Sequence, residues 1–237
     1  MVDLFSDLHI HSCLSPCAND DMTPANICGM ATVKGLQMIA VTDHNTARNL
    51  PTVKTCCDAY GLLMIPGMEI TTKEEVHLLG YFQTVDQALE FSEFLRPHLP
   101  AKKNRPQFFG NQLVIDEDDN VIAEEDALLI GATDLRLSEL VSLIRQRDGV
   151  PVPAHINRGS NGLLINLGLM PEELGFTAVE VYRALPCPHT PQVGKFILHS
   201  SDAHNLGDIL EPEVSYTLSE PSVEAFLQML REGAKQS

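Results

Sequence analysis

Residues 7–21 read DLHIHSCLSPCANDD. One apolar residue separates His9 from His11, so on a strand both imidazoles project from the same face. Cys13 and Cys17 follow, then the acidic pair Asp20 and Asp21. Three readings compete: a structural zinc module, a redox pair of cysteines, and one wall of a hydrolytic metal site. Structural zinc modules usually join two short-spaced knuckles from separated sites. Here His9, His11, Cys13 and Cys17 crowd into nine residues that begin on a strand, and no CxxC follows. The two cysteines also lack the CxxC form of a redox pair.

The rest of the chain supplies the context. Short apolar runs alternate with helical stretches. TPANICGMATVKG predicts a helix with Thr23 as N-cap and Pro24 at its first position, and LQMIAVTDH predicts a strand. NLPTVKTCCDAYG predicts a helix closed by Gly61, and LLMIPGMEITT and EVHLLGYF predict strands. LSELVSLIRQRDG predicts a helix capped by Ser138. VPVPAHI, AVEVYRA, FILHSSDAH and VSYTLS predict strands, and SVEAFLQMLREG a terminal helix. Alternating β and α elements with apolar strands predict an α/β fold with a parallel sheet or barrel, whose function gathers at the strands' carboxyl ends. Residues 83–137 break the rhythm and read as an insertion or cap within the same domain, with a β-hairpin over NQLVIDEDDNVIAEED. The barrel would then comprise residues 1–82 and 138–237.

Composition narrows the classes. The 237 residues are 44 % hydrophobic and 5 % aromatic with no Trp, which suits a Val/Ile/Leu/Ala-packed core. A formal net charge of -16 argues against tracking nucleic-acid backbone over many phosphates, so no stable duplex binding is expected. Bound cations would still let a small phosphorylated substrate approach. Six cysteines without regular spacing, no secretory signal in MVDLFSDLH and no apolar run of membrane-spanning length lead to an expectation of free thiols in the cytoplasm.

His9/His11, Asp43/His44, Glu69, His155 and Asp202/His204 all lie at or just beyond predicted strand ends, with His77 close by. On one rim, so many unpaired ionisable groups would repel and resist desolvation unless cations bind among them. Mixed imidazole and carboxylate ligands suit zinc, manganese or iron. Two or three such ions clamp a phosphate and activate water, so hydrolysis is the expected chemistry. His98, His189 and His199 are expected to be ordinary core or surface residues.

Taken in order, DLHIHS, VTDHN, PGMEIT with EVHLLGY, PAHINR and SSDAHN resemble the signature motifs of the PHP (polymerase and histidinol phosphatase) family. The resemblance covers nearly the whole chain and is weakest over 83–150. It implies a distorted seven-stranded (β/α) barrel of PHP type with a small insertion and a trinuclear metal site. It implies metal-dependent phosphoesterase activity by a metal-bridging hydroxide on a small phosphomonoester, a nucleotide or a short oligonucleotide end.

Carried onto this chain, the resemblance assigns a first cation to His9, His11, Glu69 and Asp202. A second shares Glu69 and adds His77 and His155. A third uses His44 and His204 with one ligand from the loop after His11. Relatives often place His or Asp there; here the positions are Pro16 and Cys17, so either Cys17, Asp20, Asp21 or water completes the site or the third site stays empty. Asp202, His204 and Arg158 are the candidate catalytic residues, Arg158 either reaching the phosphate or pairing with a carboxylate. Asp7 and Asp43 are expected to orient histidines. The rival readings are a non-catalytic regulatory module binding metal and a phosphorylated ligand, and a C–N hydrolase on a related barrel. The latter would need a metal-bridging lysine, which no strand end offers.

Overall fold

The computed structural model describes residues 1–234. The first strand, β1 (Val2–Ile10), leads through α1 (Pro24–Val33) to β2 (Met38–Val41) and through α2 (Leu50–Tyr60) to β3 (Leu63–Met64). Thr23 Oγ1 accepts the Asn26 N–H at 3.3 Å to start α1. Gly61, at φ 71°, ends α2 in the left-handed region that favours glycine. The apolar run after Gly61 breaks at Pro66, which has no N–H to donate to a ladder, and resumes as β4 (Gly67–Thr71).

Here the structure departs from an all-parallel sheet. Residues 72–76 join β4 to β5 (His77–Tyr81), a connection too short for a parallel crossover, so the two strands pair antiparallel. β5 in turn pairs antiparallel with β8 (Val150–Pro153). Between them lie α3 (Val85–Leu95), the short α4 (Pro106–Phe109), the antiparallel pair β6 (Leu113–Ile115) and β7 (Val121–Glu124), and α5 (Leu137–Arg145). The β6–β7 turn is held by Asp116, whose Oδ1 accepts the Asn120 and Asp118 N–H groups at 2.8 and 3.0 Å. α5 begins one residue before Ser138. Its cap is Arg136, whose N–H donates to Glu139 Oε2 at 2.8 Å, while Glu74 accepts the Leu137 N–H.

The chain finishes through α6 (Leu163–Leu167), β9 (Ala178–Glu180), β10 (Phe196–Leu198), β11 (Ser215–Leu218) and α7 (Val223–Glu232). The strands form an α/β fold of four separate ladders: β11-β1-β2-β3, β4-β5-β8, β9-β10 and β6-β7. No closed barrel forms among the described residues, which corrects the seven-stranded barrel expected from the motifs. The antiparallel β4-β5-β8 unit and the two-residue β3 interrupt the parallel ladder that closure requires.

Leu8, Met38, Leu79, Val152, Ala178 and Leu198 from successive strands nevertheless share one buried cluster, sealed by Phe226 and Leu230 of α7. A second cluster joins the other strand faces to α1, α2, α3 and α5. Single bridges tie the sheets at the opposite end, Ile10 to Ala203 and His44 to Glu69. A bulge between Asp7 and Ile10 in the β1–β2 pairing re-aims the end of β1 where His9 sits. No helix of the described residues is long and apolar enough to cross a membrane.

Candidate metal centre

The strand ends bring His9, His11, His44, Glu69, His77, His155, Asp202 and His204 into one cluster. His9, His11 and Glu69 are at most 1 % exposed. Around Asp202 Oδ1, His9 Nε2 lies at 3.4 Å and His11 Nε2 at 3.1 Å. Those two nitrogens are 3.2 Å apart, and each sits 3.3–3.4 Å from one oxygen of Glu69. Bonds of about 2.0–2.2 Å to one tetrahedral cation require ligand–ligand edges of roughly 3.3–3.6 Å. These four side chains stand close to that spacing.

Glu69 also joins the rest of the cluster. Its Oε1 lies 2.8 Å from His77 Nδ1 and 3.1 Å from His155 Nε2, and its Oε2 lies 3.1 Å from His44 Nδ1. Several of these atoms are close without hydrogen-bonding geometry: His44 Nδ1, His77 Nδ1, Glu69 Oε2 and Asp202 Oδ1 are buried and have no hydrogen-bond partner. Buried polar atoms are seldom left so, and convergent lone pairs from imidazole and carboxylate are the donor set of a divalent cation. The donor atoms of His11, His44 and His204 form a further compact group, and Cys17 Sγ lies 3.2 Å from His204 Nε2. Asp20 and Asp21 do not join: Asp20 accepts a hydrogen bond from Asn111, and Asp21 is exposed.

Protonation follows from the packing. Burial disfavours ionised Glu69, but the imidazoles of His77 and His9 outweigh it and hold its carboxyl well below the usual range. Asp202 is likewise depressed, by His9 and His11 against burial. Burial also works to lower His11, yet hydrogen bonds and charge from Asp202 and Glu69 lift it to about 9. His44 falls well below its ordinary value through burial and the neighbouring His11, and the same causes lower His204 to about 4. Two ionised carboxylates and two neutral imidazoles are therefore ready as ligands near neutral pH.

Glu180 is the residue that the sequence reading missed. Fully buried at the end of β9, it accepts from His9 Nδ1 at 3.0 and 3.2 Å and from the His155 N–H at 2.9 Å. It thus fixes the His9 tautomer with Nε2 aimed into the cluster. The available signal was a carboxylate inside the apolar run AVEVYRA. Glu180→Gln is expected to weaken divalent-cation affinity about 10–100-fold while leaving the fold intact. A chelator-dye competition showing unchanged affinity would remove Glu180 from the site.

Asp43 reaches His11 through Ser15, whose hydroxyl donates to Asp43 Oδ1 at 2.7 Å and lies 2.9 Å from His11 Nδ1. Asp7 touches no histidine ring. It accepts from the Ser201 hydroxyl and N–H and from the Leu210 N–H, anchoring the loop that carries Asp202 and His204. His155 and Asp202 adopt φ of 25° and 55°, strained conformations for non-glycine residues at two positions of the cluster. Arg158 pairs with Asp202 Oδ2 and lies over the Tyr182 ring at 5.2 Å. It lines two cavities: one of about 390 Å³ with His44, His77 and His155, another of about 630 Å³ with Tyr182 and Arg183. Outside the site, His98 pairs with Asp134, and His199 Nδ1 lies 2.9 Å from the Val181 carbonyl.

The sequence model of the PHP domain matches residues 7–149, more than half of the chain. The chain belongs to the PHP domain family. The match ends before His155, Glu180, Asp202 and His204, all of which the tertiary structure brings to the cluster. An uncharacterized protein of Methanocaldococcus jannaschii is 34 % identical over 89 residues, covering 34 % of this chain and 52 % of that protein. The chain therefore spans about half the length of that curated relative.

Among solved structures, the lesion-specific endonuclease Q of Pyrococcus furiosus superposes with a TM-score of 0.71 at 17 % identity, over 99 % of this chain and 57 % of that one. An endonuclease Q complex with a 27-mer duplex, an abasic lesion at its active site, gives 0.68 at 17 % identity over 99 % and 58 %. An amidohydrolase from Chromobacterium violaceum gives 0.62 at 17 % identity, over 94 % and 96 %. These likenesses establish shared fold.

They also correct one expectation. The net charge of -16 argues against stable duplex binding, yet endonuclease Q, with this fold, binds a duplex substrate with its abasic lesion at the active site. Charge summed over a chain does not describe the field at a cluster built to hold cations.

Proposed function

We propose that the protein is a metal-dependent hydrolase of phosphate esters, acting at the His/Glu/Asp cluster on nucleotides or oligonucleotide ends. The carrying observation is Glu69, a single buried carboxylate with imidazoles around both oxygens, in the position of a bridging ligand. His9, His11, Glu69 and Asp202 would hold one divalent cation, and Glu69, His77 and His155 a second. His44 and His204 would hold a third with Cys17, the cysteine favouring zinc or iron over manganese. When bound, such cations lower the pKa of water to roughly 7 and neutralise phosphate oxygens.

The chain's own residues do the rest. Glu180 holds His9 in one tautomer, and Ser15 with Asp43 sets the His11 ring. Arg158 presents a planar fork of donors above the cluster, suited to the non-bridging oxygens of a phosphate. Its pairing with Asp202 keeps the guanidinium beside the reacting centre. His204, which lines both cavities and is depressed to about 4, acts there as a neutral base or ligand. Residues 83–137 act as an insertion walling the site: Leu113 N–H bonds the Cys13 carbonyl, and Asn45 bonds the Leu129 and Gly131 carbonyls. The six free thiols fit a reducing compartment, the cytoplasm.

Loading with zinc, manganese or iron should produce turnover of phosphomonoesters, nucleotides or short oligonucleotides. No turnover with any metal at full occupancy would leave the non-catalytic module as the better account.

A further inference from the structure

The basic residues are unevenly placed. In a chain of 32 acidic and 16 basic residues, Lys102, Lys103 and Arg105 fall within four positions, and all are exposed or partly so. Three residues later stands Phe108, 69 % exposed, with the Arg105 guanidinium 4.8 Å from its ring centroid. A lone exposed phenylalanine needs no explanation. An exposed ring under one guanidinium, on a segment that carries two further exposed cations in an acidic protein with few aromatics, combines the two elements that hold single-stranded nucleic acid: a stacking face and phosphate contacts.

The fold holds this segment in place against the catalytic rim. Gly110, at φ 97°, packs so closely on the loop carrying Cys17 that an added Cβ would lie 2.0 Å from the Pro16 carbonyl oxygen. Asn111 donates to Asp20 at 2.7 Å, on the same loop. The other end is fixed by Leu128 N–H to the Lys102 carbonyl at 3.0 Å and Asn104 N–H to the Asp126 carbonyl at 2.8 Å. Asn104 Nδ2 closes the segment on the Gly110 carbonyl at 2.9 Å. Pro16 adjoins Cys17, whose sulfur is 3.2 Å from His204. Two residues span at most about 7 Å, so the Phe108 backbone lies within that reach of Gly110, packed on Pro16. The path from the cluster to Phe108 thus runs through Cys17, Pro16 and Gly110, each adjoining or packed on the next.

We propose that residues 102–110 form a strand-binding wall of the catalytic rim. Phe108 stacks on a base, and Lys102, Lys103 and Arg105 bind the phosphates of a single-stranded segment, free or displaced from a duplex. This rests on the phosphoesterase reading and narrows its substrate to a nucleic-acid strand. Among the described residues, the one acidic partner of the three cations is Asp126, 3.1 Å from Lys103 in an exposed pair that contributes little and yields readily to phosphate.

The test uses metal-loaded full-length protein and two probes: a fluorescent phosphorothioate oligonucleotide of about ten nucleotides for binding, and a small chromogenic phosphoester for basal turnover. Phe108→Ala and Phe108→Leu should each weaken strand affinity about tenfold, and Phe108→Tyr should restore it. Arg105→Gln and the double change Lys102→Gln/Lys103→Gln should lower the salt slope of binding by about 0.7 for each phosphate that is no longer neutralised. Turnover of the small ester should be unchanged in all of them. Unchanged strand affinity in Phe108→Ala, or an equal fall on both probes, would overturn the wall. So would a wild-type protein that hydrolyses the small ester without binding the strand. A wild type that binds the strand through Phe108 yet hydrolyses nothing would support the wall and overturn the enzyme reading.

Discussion

Glu69→Gln should abolish most of the activity and strip at least one cation from each chain. Glu69 is 1 % exposed, and its two oxygens face the ring nitrogens of His9, His11, His44, His77 and His155 at 2.8–3.4 Å. The glutamine amide keeps the volume but removes the charge and turns one acceptor into a donor pair aimed at imidazole nitrogens. Losing about 4 kcal/mol of charge stabilisation corresponds to a roughly 10³-fold fall in kcat/KM. Metal analysis and steady-state kinetics on the same sample, with circular dichroism as the check on folding, decide the matter. Full metal content with near wild-type turnover would remove Glu69 from the bridging position.

Cation loading should stabilise the fold strongly, and more so as the pH rises from 6 to 8. A cation bound to the native state alone, at about 1,000 times its Kd, adds roughly 4 kcal/mol. The pH sign follows from His9 and His11, both raised in the cation-free cluster, His11 to about 9. Stability from such raised groups is fully present below the unfolded value near 6.5 and is lost as pH climbs through the folded value. Those same protons must leave before a cation binds, so cation affinity grows with pH over that interval. These are one proton release seen from two sides, and it widens the gap between the melting temperatures of loaded and chelated protein. Differential scanning calorimetry at pH 6 and pH 8 measures it, and a gap that narrows with pH would contradict the assignment of His9 and His11 as ligands.

Local sequence sufficed to pair His9 with His11, because alternation at the end of β1 places both on one face. Asp202 and His204 instead come from the loop after β10, Asp202 at φ 55°, and the fold of that loop sets their convergence. Local sequence also marked the start of α1 and the end of α2, where Pro24 and Gly61 act through their own backbone preferences. It failed wherever a residue's role depends on a partner far along the chain. Glu180 looked like a lone carboxylate in an apolar strand and proved to hold His9, 171 positions away. Asp7 acts through a segment nearly two hundred positions away, anchoring the loop after β10 that carries Asp202 and His204. Net charge argues against duplex nucleic acid, although charge has consequences only where the fold arranges it.

For this protein, the amino-acid sequence by itself determined the donor chemistry: imidazole and carboxylate groups at strand ends, with an α/β rhythm that brings such ends together. Only the tertiary structure decided that the sheets stay separate, because residues 72–76 are too few for a parallel crossover and Pro66 cannot extend a ladder. It alone also put Cys17 against His204 and packed the Phe108 segment on the same loop. Those placements depend on close approach, at Gly110 above all, and close approach between distant segments is a property of packing that no local pattern encodes.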